Sequence, residues 1–330
     1  MGMASSSPPS SLVEDARAVF QAAVQRVQAP ELFSISKPSD WGPESLDAYN
    51  AIRVVGMGKA ALAMAGVVEQ EVDTQLRDGC VVVPEGHPET YPEDVPVPSI
   101  VDVVEGGHPL PTQGSVRGAR RILKQADATG TDELLLVLVS GGGTALSTLP
   151  ADDLELKDLK RVYHQMLTAG IDVHQMNTVR KHLTRVGGGQ LARAASPAAV
   201  GSLIVSDVVG NDMSVIASGP TVPDPTTYEE AMRVLFAHDL WHSVPAPIRA
   251  PSVRCVRIGG GTLCHRSWAY STRIASSYVV GSGTVGPLAI TDISFLTTSD
   301  TMRLPKAAGD AARASCPPPT RVRCLRTVFI

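Results

Sequence analysis

Four short segments carry the residue types that bind or move charged groups. In Gly56-Met57-Gly58-Lys59-Ala60-Ala61, two glycines let the chain turn sharply, and a helix that follows offers unpaired N–H groups to an anion. The same residues fit the GxGxx[GA] dinucleotide fingerprint. The first acid after the strand predicted at Cys80 to Val83 is Glu85, farther on than the fingerprint expects, which counts against NAD(P). Lys59 in the turn suits a phosphate or a carboxylate. In Ser140-Gly141-Gly142-Gly143-Thr144-Ala145, three glycines permit a backbone nest that converges on an oxyanion. The spacing is not that of a Walker A loop. Arg180 and Lys181, in Asn177-Thr178-Val179-Arg180-Lys181-His182-Leu183, can clamp an acidic substrate, Arg through its planar fork; a solvated helix face is the plain alternative. Asp207 and Asp212 lie in Ser206-Asp207-Val208-Val209-Gly210-Asn211-Asp212. Asp207 is placed to hold Mg²⁺ or to orient a hydroxyl, although either carboxylate can equally cap a loop. His108, in Gly106-Gly107-His108-Pro109-Leu110-Pro111, reads as a turn-fixing residue.

These segments need elements to position them. Apolar residues at helical spacing from Leu12 to Val27 predict an amphipathic helix. Strands are predicted at Ala51 to Gly56, Cys80 to Val83, Ile100 to Val104, Leu134 to Val139 and Ser202 to Ser206. Helices are predicted at Lys59 to Val72, Thr112 to Ala126, Leu156 to Thr168 and Met176 to Ala195, and a capping box at Thr227 to Glu230 starts another. Apolar strands alternating with helices imply an α/β fold with a Rossmann-like, doubly wound, mostly parallel sheet. Ligands of such sheets bind at the carboxyl ends of the strands, where all four segments fall.

Charge divides the chain. Residues 241–330 hold ten Arg, one Lys, three Asp and no Glu, a net +8 within an overall −4. The remainder is therefore at −12. The overall −4 argues against general nucleic-acid binding through phosphate neutralisation, and 4% aromatic residues argue against base-stacking platforms. Only Cys80 lies in the first 240 residues, and the four cysteines after it lack metal-ligand spacing. The longest apolar runs are far short of a bilayer span, and an N-terminus without an apolar h-region fits a reducing, cytoplasmic setting. Three units are expected: residues 1–44 with the amphipathic helix, residues 45–240 as the Rossmann-like domain, and residues 241–330 as an aberrant or disordered tail.

Taken together, VVGMGKAALAMA, GGHPLPTQGS, LVLVSGGGTAL, NTVRKHL and LIVSDVVGND followed by IASGPTVPDPTT resemble, in order, the glycerate 2-kinase family that carries the MOFRL domain. The resemblance spans about residues 12–240. It implies two α/β domains with an active site in the cleft between them, and transfer of the ATP γ-phosphoryl group to glycerate, with Mg²⁺, to give 2-phosphoglycerate. By that resemblance Lys59 corresponds to the active-site lysine, and Asp207 or Asp212 to the family's acidic residue. Gly56 and Gly58 belong to the lysine-bearing turn. Ser140, Gly141, Gly142, Gly143 and Thr144 match the glycine-rich loop, Thr144 standing where Ser is usual. Arg180 and Lys181 match the VRKHL helix. Which ligand occupies which loop stays open. Gly187 and Asn211 depart from the pattern, and after about residue 240 the second domain's glycine-rich, arginine-bearing segment is absent. The tail therefore reads as alternative-exon, frameshifted or mispredicted sequence, with a divergent but folded second domain as the alternative. Two other functions fit parts of the pattern: an NAD(P)H-dependent hydroxypyruvate reductase, and an inactive remnant that binds one ligand.

Overall fold

The computed structural model describes residues 10–33, 41–42, 44–91, 95–151, 154–206, 208, 212–249, 254–258, 261–265 and 325–329. After helices α1 (Ser10–Arg26) and α2 (Ala29–Phe33), the chain enters β1 (Ala51–Met57), crosses through α3 (Ala61–Val72) and returns as β2 (Leu76–Pro84). Then come β3 (Val101–Gly106), α4 (Gln113–Asp127) and β4 (Glu133–Val139). Helices α5 (Gly143–Leu146), α6 (Leu156–Thr168), α7 (Val173–Leu183) and α8 (Gln190–Ala195) lead to β5 (Ala199–Ile204). Helix α9 (Tyr228–Ala237) and the short α10 (Ala246–Arg249) follow.

The strands pair in the order β3-β2-β1-β4-β5, all parallel. From β1 the chain builds outward to β3, then crosses back to lay β4 on the other side of β1. That reversal makes the β1/β4 boundary the topological switch point, where a crevice opens at the carboxyl ends. Continuous apolar sequence makes β4 central, and all seven of its residues are buried. One apolar cluster, with α3, Trp41 and Phe33, covers one sheet face; a second, with α4 and α8, covers the other. A third is formed by α6, α7, α9 and α10.

The mostly parallel α/β architecture expected from the sequence is present. One predicted element divides: the Met176 to Ala195 helix is two, α7 and α8, separated by Gly187-Gly188-Gly189. Gly188 (φ 61°) and Gly189 (φ 77°) take left-handed backbone that ends a helix. Past residue 240, β6 (Arg254–Ile258) and β7 (Gly261–His265) pair antiparallel, and β8 (Leu325–Phe329) lies parallel beside β5 as a sixth strand of the main sheet. The tail so contributes one strand beyond the expected limit of residues 45–240. Helix α1 forms as predicted, but Leu12, Val19 and Phe20 on it, and Val27 just beyond it, are exposed.

Candidate functional site

The loops after β1 and β4 are clipped together across the switch point. Ser140 N–H donates to Met57 O (3.0 Å), Lys59 N–H to Gly141 O (2.9 Å), and Ala60 N–H to Ser140 Oγ (2.9 Å). Gly58, at φ 129°, sits so close to Ser140 that a Cβ would collide with its hydroxyl, so only glycine fits there. Gly56 lies one step earlier, inside β1, where a Cβ would come within 2.9 Å of Val81 Cγ1 and 3.0 Å of Leu138 Cβ. Expected in the turn, it is a packing residue of the sheet. Ser140 is buried and committed to the clip.

These bonds decide which loop has donors left. The Lys59 and Ala60 N–H groups at the start of α3 are spent on the β4 loop. Gly141, by contrast, is exposed, with open space around its Cβ position. Neither the Gly141 nor the Gly142 N–H has a backbone acceptor among the described residues. Gly142 (φ 85°) lies against the His108 ring, which a Cβ would approach to 2.9 Å. Gly143 is wedged against Met57 and Ala217. Thr144 Oγ1 shares a 3.0 Å hydrogen bond with Ser218 Oγ.

Three cationic or titratable side chains gather at this loop. Lys59 is exposed. The exposed His108 feels partial burial first, then the positive charges of Lys59 and Arg180, and these hold its imidazole below the ordinary 6.5. Arg180, on α7, stacks its guanidinium 4.9 Å over the centroid of the Tyr163 ring. Burial pushes the Tyr163 hydroxyl up to about 12, so the ring stays neutral beneath the cation. Burial also lowers the Arg180 guanidinium from its usual value, and its Nε has no hydrogen-bond partner. No carboxylate pairs with Arg180 among the described residues. A desolvated guanidinium without a counter-ion is costly unless an anion joins it.

The other expected residues divide. Lys181 is turned away from that cluster: it is 6% exposed and bound to Asp224 Oδ1 at 3.2 Å. Neighbours on a helix point about 100° apart, so Arg180 and Lys181 face different partners. Asp224 is itself fixed by the Thr226 N–H and hydroxyl. Asp212 is exposed and accepts the Ser214 N–H through Oδ1 (2.8 Å), the loop-capping alternative. Asp207 lies outside the described residues. Sequence alone marks His108 as turn-fixing and assigns no role to Tyr163, Asn177 or Ser218. His108 carried a usable signal, a titratable ring on a loop after a strand. Tyr163 occupies an apolar position of α6 and gave none.

A family profile described as "Domain of unknown function (DUF4147)" matches residues 15–251. The chain belongs to the DUF4147 family. It is 38% identical over 206 residues to a protein of Pyrococcus horikoshii named "Glycerate 2-kinase", covering 62% of this chain and 44% of that protein. It is 40% identical over 201 residues to an Agrobacterium vitis protein named "Putative hydroxypyruvate reductase", covering 61% and 44%. Among solved structures, the crystal structure of the Thermotoga maritima glycerate kinase superposes with a TM-score of 0.60 at 33% identity, covering 70% of this chain and 53% of that one. The family resemblance to glycerate 2-kinases read from the motifs is thus supported. The chain spans about half the length of the curated relatives it matches. No helix among the described residues is long and apolar enough to cross a membrane.

Proposed function

We propose that the chain is a glycerate 2-kinase by descent, built to transfer the ATP γ-phosphoryl group to D-glycerate to give 2-phosphoglycerate. The observation that carries the reading is Arg180: a desolvated guanidinium with an unpartnered Nε, beside His108 and the exposed Gly141-Gly142 backbone at the switch point. An anion is what such a group lacks. Relatives named for glycerate kinase activity supply the chemistry. Phosphoryl transfer asks chiefly for positioning and charge neutralisation. Lys59 and Arg180 would neutralise the glycerate carboxylate and the phosphoryl oxygens, while the Gly141 and Gly142 N–H groups hold phosphate oxygen. Asp207 or Asp212 would orient the 2-hydroxyl or hold Mg²⁺. No cluster of three or more metal-ligating side chains exists among the described residues, which fits Mg²⁺, since that ion is usually held by one or two carboxylates together with substrate phosphates. Mg²⁺, when bound, would neutralise charge on the phosphates.

In this reading residues 45–240 are the kinase's first domain, residues 1–44 an N-terminal segment with an amphipathic helix, and residues 241–330 stand where a MOFRL domain is expected. We also propose a cytoplasmic setting and a small-molecule partner, with neither nucleic acid nor membrane involved. The reductase alternative draws on the name of the A. vitis relative and on Gly56 to Ala61. Gly56 packs inside β1, and the donors a pyrophosphate would take at α3 are spent on Gly141 O and Ser140 Oγ. Those two facts weigh against it.

The test is D-glycerate-dependent ADP formation by the purified 330-residue chain with Mg-ATP, beside Lys59→Ala. Turnover that vanishes in the variant is the expected result for a chain that completes its own cleft. A folded, monodisperse chain with no turnover would leave kinase ancestry without kinase activity, and NAD(P)H oxidation with hydroxypyruvate would replace the reading.

A further inference from the structure

The segment Ile216-Ala217-Ser218-Gly219 plays no part in the chemistry above, yet it is the most unusual backbone in the described molecule. Ala217 (φ 47°), Ser218 (φ 62°) and Gly219 (φ 58°) are left-handed in succession. For Ala and Ser this conformation is sparsely populated and persists only where the surroundings fix it. What fixes it is a set of contacts reaching three other parts of the site. The Ser218 carbonyl accepts Gly188 N–H (2.8 Å) and the Gly219 carbonyl accepts Gly189 N–H (2.7 Å), tying the turn to the glycine run before α8. The Ser218 hydroxyl, fully buried, lies 3.0 Å from Thr144 Oγ1 and 3.4 Å from Asn177 Oδ1. Asn177 in turn donates from Nδ2 to Val215 O (3.0 Å), closing the circuit on the turn itself. Ala217 Cβ forms the floor beneath Gly143.

We infer that Ser218 is a positioning residue: its hydroxyl joins Thr144, in the glycine-rich loop, to Asn177, three residues before Arg180 on α7, and so sets the loop against the guanidinium. Residues three apart on a helix share a face, so the atom that anchors Asn177 also fixes the turn of α7 that presents Arg180. The left-handed backbone is what brings one hydroxyl within reach of both. Ser218 touches no reacting atom in this account. The ligand arm of the test rests on the proposed function, and the loop arm does not.

The experiment compares Ser218→Ala, which removes the hydroxyl and keeps the backbone cost, with Ser218→Gly, which removes the hydroxyl and accepts the left-handed backbone freely. Amide hydrogen exchange is followed in the full chain for residues 140–147 and for β1 and β4, and Mg-ATP affinity is measured alongside. The expected result is exchange at residues 140–147 about tenfold faster in both variants, with β1 and β4 unchanged and Mg-ATP bound about tenfold more weakly. Thr144→Val combined with Ser218→Ala should be no worse than Ser218→Ala alone, because that variant has already lost the bond to Thr144. Unchanged loop exchange in Ser218→Ala overturns the inference. So does recovery of the wild-type rate in Ser218→Gly, which makes the residue a matter of backbone strain, or faster exchange across the whole sheet in both variants. A wild-type chain that binds no Mg-ATP, yet shows the loop effect, removes the proposed function and leaves the inference standing.

Discussion

The two ends of the central sheet handle charge in opposite ways. At the amino-terminal ends of β1, β2 and β4, Arg53 bonds to Asp78 and to Glu133 (3.2 Å), and Glu133 also takes Arg77 and the Gly130 N–H (2.9 Å). Arg53 and Glu133 are both buried, and their charges are mutually satisfied. Burial pulls the Arg53 guanidinium down, but the carboxylates of Glu133 and Asp78 outweigh it and leave it raised. At the carboxyl-terminal ends, Lys59, His108 and Arg180 gather with no carboxylate among them in the described residues, beside glycines whose N–H groups lack backbone acceptors. Buried charge that is paired inside the protein is architecture. Charge left without a partner among the described residues is, on the proposed reading, where a ligand's charge would go.

Four perturbations sharpen or break that contrast. The largest is at the paired end. Glu133→Gln should cost about 3 kcal/mol of stability in urea unfolding, with Asp78 still holding part of Arg53, and leave ligand affinity unchanged. Its pH dependence follows. Burial pushes the Glu133 carboxyl up, but the Gly130 N–H and the guanidinium groups of Arg53 and Arg77 outweigh burial and leave it lowered. The folded state thus binds the proton less readily than the unfolded chain. The contribution is whole above the ordinary 4.5 and is lost as pH falls through the lowered folded value. Acid unfolding of Glu133→Gln should accordingly be less steep than that of the wild type.

Next comes the unpaired end. Arg180→Ala should weaken binding of D-glycerate or Mg-ATP by about 10²-fold while Tm stays level or rises, since a desolvated cation without a counter-ion is removed. A large fall in Tm with intact binding would reverse the assignment of the two ends. A smaller effect is expected at His108, followed by NMR. Arg180→Ala, or an anion bound beside it, should bring the His108 imidazole back up toward its ordinary 6.5. The smallest lies away from both ends: Thr227→Ala, which loses the capping box with Glu230 on α9, should cost about 1 kcal/mol and alter no ligand affinity.

Much of this fold was legible in the chain. The run Leu134 to Val139 could only be a central strand, and its flanking glycines marked the loop at the switch point. Periodicity carried the Met176 helix too far, because it weighs side chains and ignores that consecutive glycines can leave helical backbone at no steric cost. The site was legible in part. The position of Lys59 and Gly141 at the carboxyl ends followed from their standing directly after predicted strands. That Lys181 turns to Asp224, that Gly56 packs between Val81 and Leu138, and that the α3 donors are spent on Ser140 and Gly141 depend on contacts between residues 25 to 82 positions apart, which no local pattern encodes. Ser218 shows the same limit: its role rests on a backbone conformation that serine rarely adopts, imposed by the tertiary fold.

The central claim is that an anionic ligand fills the crevice between the loops after β1 and β4. Its most direct test is lysine acylation of the full chain, read residue by residue by mass spectrometry, with and without Mg-ATP and D-glycerate. The account predicts that ligand protects the exposed Lys59 and leaves the exposed Lys157 reacting at its free rate, while Lys181, held by Asp224, reacts slowly throughout. Lys59 modified equally fast in the presence and absence of both ligands would contradict it.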